Sequence, residues 1–146
     1  MAQWRHAVPV ERARRGDAGV KETTEKLLAK AARALDVAER LKAGEDAEFS
    51  VGRAYYAMFY AAEALLNERG QRFRKHGGVH GAFAEQFVKA GLFDRKYHRW
   101  LLEAFSKRIT GDYGIEAELT AEDSTLVIRQ AREFLGAAKQ FLEKGT

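Results

Sequence analysis

The sequence contains no cysteine and a single proline, Pro9, in 146 residues. Without cysteine there is no disulfide framework, no cysteine nucleophile and no thiolate-bound metal or iron–sulfur cluster. So little proline argues against a turn-rich fold, and no segment alternates apolar and polar residues as a half-buried strand does. Long apolar runs are missing too. The longest, Ala54 to Ala62, spans nine residues, whereas a membrane-spanning helix needs about 20. The first residues carry Arg5, Arg12, Arg14 and Arg15 without an apolar stretch, unlike a secretory signal. These absences point to a cytoplasmic chain with no membrane partner. What is present, 46% hydrophobic and 32% charged residues, is a globular composition long enough for one domain with a real core.

Helical periodicity dominates. Residues 1–19 read as an arm or lead-in, and residues 20–144 as one domain. From about Lys21, Leu28, Ala31, Leu35, Ala38 and Leu41 form one stripe, which Gly44 is expected to end. Asp46 is a candidate N-cap for a second helix that is apolar around its whole circumference from Ala54 to Ala62. Such a helix belongs at the centre, with Gly70 as its stop. A basic loop, Gln71 to His76, leads to a third helix carrying Val79, Phe83, Phe87 and Val88 and closed by Gly91. A fourth, with Phe93, Tyr97, Trp100, Leu101, Ala104 and Phe105, is expected to end near Gly111. There Gly111 and Gly114 would allow a sharp exit with positive φ. Thr120 and Asp123 have capping-box spacing before the last seam, Val127, Ala131, Phe134, Ala138 and Phe141. The expected fold is all-α, an up-and-down bundle of four to five helices.

The formal charge of +4 is unevenly spread. Residues 69–108 hold ten Lys or Arg against three acids, a net +7, which leaves −3 for the rest. Such a block suits an anionic partner such as RNA or a nucleotide, with Arg72, Arg74, Lys75 and Lys107 as candidate contacts; it also suits a solvated helix face. His76 and His80 have the spacing of two ligands on one helix face, but no third ligand and no adjacent Glu accompany them. No metal and no cofactor are expected. His76 is read instead as an imidazole near a helix start, open to a phosphate or a carboxylate. Tyr55, Tyr56 and Tyr60 have the chemistry to stack on bases, but within an apolar helix they are read as packing residues of the core or of a subunit interface. Arg108 through Gly114 places Arg, Thr, Asp and Tyr at the end of an aromatic helix, where an Arg–Asp pair also has a simple capping role.

Three blocks resemble a known family. Arg53-Ala54-Tyr55-Tyr56-Ala57-Met58-Phe59-Tyr60-Ala61-Ala62 is similar to the second-helix signature of HEPN domains, in particular the small stand-alone prokaryotic branch. Lys75-His76-Gly77-Gly78-Val79 resembles that branch's segment before helix three, and Arg108 through Tyr113 falls where the family keeps an Arg followed a few residues later by His. The resemblance runs from about residue 24 to 142. It implies a four- or five-helix bundle that dimerises. Active members cut RNA without a metal, in a composite cleft built from both protomers' Arg and His. Many prokaryotic members sit beside a minimal nucleotidyltransferase as a toxin–antitoxin pair, and others have lost the nuclease and serve as binding or scaffolding modules.

This chain has no His in the few positions after Arg108; Asp112 and Tyr113 stand there instead. Metal-free RNA cleavage needs one group to take the 2′-hydroxyl proton and another to protonate the leaving oxygen. Arg108 can bind the phosphate and stabilise its charge but cannot act as a base. A Tyr, ordinarily titrating near 10, is a poor base at neutral pH. Asp112 is a candidate base four residues after an Arg. His76 supplies the missing imidazole if helix three begins near the end of helix four. The readings are therefore an RNA-cleaving toxin using Arg108 with Asp112, Tyr113 or His76, a non-catalytic module for nucleotide, RNA or a nucleotidyltransferase, and a structural homodimer.

Overall fold

The computed structural model of the chain describes residues 17–114 and 118–144. It is an all-α, up-and-down bundle of five helices, with no strand among the described residues. The helices are α1 (Asp17–Ala43), α2 (Ala47–Glu68), α3 (His76–Phe83), α4 (Arg95–Tyr113) and α5 (Ala121–Glu143). Of the expected N-terminal arm, residues 1–16 lie outside the described residues, and Asp17 to Gly19 already belong to α1.

Helix α2 is the hub and packs against α1, α3, α4 and α5. Its composition explains why. Ala54, Ala57, Ala61, Ala62 and Ala64 are fully buried, and so small a surface lets neighbouring helices approach on every side. Tyr55, Met58, Leu65 and Leu66 fill the remaining space. Asp46 caps the start and Gly70, at φ 77°, turns the chain out at the end, with Gln71 N bonded to Leu66 O. Polar pins fix the register between α1 and α2. Asn67 Nδ2 donates to Val20 O and to Thr24 Oγ1, both at 3.0 Å, and Thr24 donates to Glu68. At the other end Ser124 on α5 donates to Ser50, which donates to Ala38 O.

Helix α1 ends just before Gly44 as expected, and two other local expectations are corrected. The left-handed residue after α1 is Glu45 at φ 62°, one position beyond Gly44. The third helix is not α-helical throughout: Ala84–Val88 form a π turn, with Lys89 N bonded to Ala84 O, before Gly91 at φ 79° ends the segment. The fourth helix passes through Gly111 and stops at Tyr113, and Gly114 has φ −81°. Gly111 is a crossing point. A Cβ there would lie 3.1 Å from Leu119 Cδ1 and 3.4 Å from Glu48 O, so its lack of a side chain lets α4 pass close to the start of α2. The Thr120–Asp123 capping box forms with both reciprocal bonds.

Candidate functional site

Two aromatic clusters fill the bundle. One, around Phe83, Phe87, Phe93 and Phe134, is buried in the core. The other gathers Tyr55, Tyr56 and Phe59 of α2, His76 and His80 of α3 and Phe105 of α4. Tyr55 has no exposed surface. Its hydroxyl lies 2.7 Å from His76 Nδ1 and 2.8 Å from His80 Nε2. A phenol has one hydrogen to give, so it donates to one ring nitrogen and accepts from the N–H of the other. The tautomers of the two imidazoles are thereby linked. Of the two packing roles open to Tyr55 in the sequence, core or subunit interface, the structure gives it the first: it is an interior residue of its own protomer.

Burial shapes the electrostatics. It pushes the Tyr55 hydroxyl far above its ordinary range, so the group is a neutral phenol. Burial, reinforced by His76 and His98, pulls His80 down to about 4. His76 is half-buried, and burial together with the Arg108 charge holds it below the ordinary imidazole value. Its ring is stacked on Phe59 at 4.4 Å. Both imidazoles are therefore neutral at pH 7, and no described residue is bonded to His76 Nε2.

Arg108 comes to the same place from α4. Its guanidinium carbon lies 5.1 Å from the Tyr56 ring centre and 6.0 Å from that of Phe105. The His76 ring lies 5.7 and 5.5 Å from the same two rings. The start of α3 therefore does meet the last turns of α4. Arg108 Nε pairs with Asp112 Oδ2 at 3.1 Å, and no hydrogen bond from its terminal nitrogens reaches a described residue. The Arg108 stem passes over Gly52, where an added Cβ would sit 3.8 Å from its Cγ. Tyr113 ends the helix, and its side chain lies outside the described residues.

The cations of the basic block differ in their surroundings. Lys89, Lys96, Arg99 and Lys107 each pair with a carboxylate, Lys107 with Asp123 of the α5 cap at 3.6 Å. Arg72 is half-buried beside Glu63, and its Nε has no partner. Arg74 and Lys75 are exposed next to His76. The structure adds cations the sequence reading did not assign. Arg53 lies 4.7 Å from the Tyr56 ring centre and Lys30 the same distance from that of Tyr60. Arg53 precedes Tyr56 by three residues, one face of a helix, and that spacing was the available signal; Lys30 is on α1 and had none. His80 was visible only as a partner in a metal spacing.

The HEPN domain model matches residues 24–141, most of the chain. The chain belongs to the HEPN family. Relatives span it at comparable length. A Methanocaldococcus jannaschii protein described as "Putative toxin" is 34% identical over 122 residues, 84% of this chain and 83% of that one. A Thermotoga maritima protein described only as a UPF0332 protein is 39% identical over 109 residues, 75% of this chain and 83% of that one. In this HEPN protein no helix among the described residues is long and apolar enough to cross a membrane. Asp112 and Tyr113 follow Arg108 where the resemblance implied a His, and an imidazole from α3, His76, shares the Tyr56 and Phe105 rings with that Arg.

Proposed function

We propose that this HEPN protein is a metal-independent endoribonuclease of the toxin class, acting as a homodimer and held in check by a minimal nucleotidyltransferase partner. The observation that carries the reading is the pair His76 and Arg108 around the shared rings of Tyr56 and Phe105. Description of a full-length relative as a toxin supports it. In this mechanism the terminal nitrogens of Arg108 hold the scissile phosphate and stabilise the charge that grows on it. His76 Nε2 takes the 2′-hydroxyl proton, and the freed oxygen attacks phosphorus to form a 2′,3′-cyclic phosphate. The bond to the 5′-oxygen breaks, and that oxygen takes a proton from solvent water, while the proton gained by His76 returns to solvent when the product leaves. Arg74 and Lys75 steer RNA to the opening. Asp112 orients Arg108.

A second reading, a phosphate-binding module without chemistry, rests on the Arg108–Asp112 pair, which replaces the family's usual Arg and His. Labelled transfer RNA and single-stranded RNA, incubated in EDTA with wild type, Arg108→Ala and His76→Ala, separate the two. Cyclic-phosphate ends with wild type alone support the nuclease. Binding by wild type with no cleavage of either RNA supports the module.

A further inference from the structure

A second basic feature lies outside the site just described. Between α1 and α2 there is an open depression of about 190 Å³, lined by Lys30, Arg33, Ala34, Val37, Arg53 and Tyr60. Its floor is aliphatic, one wall is an aromatic ring and the rest is cationic. Among the described residues, none of its three cations forms an ion pair with a carboxylate. Glu63, the acid that the Lys30 charge reaches, is held toward its neutral form by burial.

The depression is linked to the Arg108 site through the Tyr56 ring. Tyr60 packs against Tyr56 at 5.6 Å, and Arg53 and Arg108 lie 4.7 and 5.1 Å from the Tyr56 ring centre. The two guanidinium groups are therefore within about 10 Å of each other, inside the reach of neighbouring phosphates on one strand. Cations and rings alternate from Arg108 through Tyr56, Arg53 and Tyr60 to Lys30, the pattern of a groove that tracks a charged backbone and offers faces for bases. The volume is below the range of roughly 300 Å³ upward that encloses a whole small-molecule ligand. It suits one segment of a longer strand.

We propose that Lys30, Arg33, Arg53 and Tyr60 form a subsite for single-stranded RNA, binding the phosphodiester and base next to the phosphate held by Arg108. The inference rests on the ribonuclease reading and names where the strand continues beyond the phosphate at Arg108: across α1 and α2. A second copy of the chain is a poorer occupant. A symmetric interface would set these cations against or beside their own copies, and like charges brought together oppose association.

The test is fluorescence anisotropy with a short single-stranded RNA, 2′-O-methylated throughout so that it is bound but not cut. Wild type is compared with Lys30→Gln/Arg33→Gln, with Tyr60→Leu and with Lys139→Gln, an exposed cation on α5. Lys30 and Arg33 are exposed, so glutamine removes charge without opening the core. The double variant is expected to bind about tenfold more weakly at low salt, and each charge removed flattens the plot of log affinity against log salt by about 0.7. Tyr60→Leu is expected to lose about tenfold, and Lys139→Gln nothing. Wild-type binding with the double variant unchanged in affinity and slope overturns the subsite and leaves the ribonuclease reading standing. No RNA binding by wild type overturns both. A changed sedimenting mass in the double variant with RNA affinity intact assigns the groove to a second copy and overturns the proposal.

Discussion

The Tyr55 hydroxyl stands 2.7 Å from His76 Nδ1, so a side chain with no exposed surface orients the imidazole that feels the Arg108 charge. The interior of α2 is thereby coupled to the candidate chemistry. When Tyr55 accepts from His76 Nδ1–H, Nε2 is bare and able to take a proton. When it donates to Nδ1, Nε2 carries the hydrogen.

Tyr55→Phe keeps the ring and removes the link. It leaves two ring nitrogens without their partner, one of them on the buried His80, and is expected to cost about 1–3 kcal/mol of stability. RNA cleavage is expected to fall by about tenfold or more in folded protein, with a displaced pH–rate profile. Urea titration gives the first quantity and single-turnover cleavage across pH the second. A slower rate with an unmoved profile would reduce Tyr55 to packing.

Arg108→Ala is expected to abolish most cleavage, by about 100-fold or more, the scale on which one charged phosphate contact acts in a transition state. Stability is expected to change by less than about 1 kcal/mol, because the Arg108–Asp112 pair is an i,i+4 contact near the surface. Equal thermal midpoints with unequal rates separate chemistry from capping.

His80 makes stability depend on pH with a definite sign. Its folded value is about 4 and its ordinary value 6.5, so between these the unfolded chain binds the proton and the folded one does not. The contribution is present in full above pH 6.5 and is lost as pH falls toward 4, amounting to about 3 kcal/mol. His76, also lowered, acts in the same direction, whereas Glu63, raised by burial, acts oppositely. The difference between wild type and His80→Gln in urea midpoints at pH 7 and pH 4.5 isolates the effect. Equal pH dependence in the two proteins would refute it.

The lowered His76 also places the acid limb of the cleavage profile below pH 6.5. A limb at or above 6.5 in wild-type protein would show that another base is at work.

Asn67→Ala removes both bonds to α1 from a buried position and is expected to destabilise the fold by about 1–3 kcal/mol. Hydrogen exchange at the first turns of α1 is expected to speed up more than in α5.

The helices were legible because their seams are one-sided, most clearly in α5, and because Gly70, Gly91 and the Thr120 box punctuate them. The site was legible in part. Arg108 stood out through the family resemblance and His76 through its residue type, and joining them depended on where helix three begins, a tertiary fact that no local spacing encodes. Tyr55 and Tyr56 show the limit best. On a helix apolar all round, hydropathy has no phase, so nothing local tells which of two adjacent tyrosines turns inward. Pairings between helices are hidden for a related reason: Lys96 and Lys107 find acids on α5, across the bundle, and Lys30 approaches Tyr60 from another helix.

The π turn at Ala84–Val88 gives the third helical segment one residue of slack. Upstream, His76 and His80 need one angular setting to reach Tyr55; downstream, Phe87 needs its own to pack on Phe83 and Phe141. A continuous α ladder ties both settings to a single winding. The turn uncouples them, so a length change of one residue within it would re-aim the packing end while leaving the imidazoles where they are.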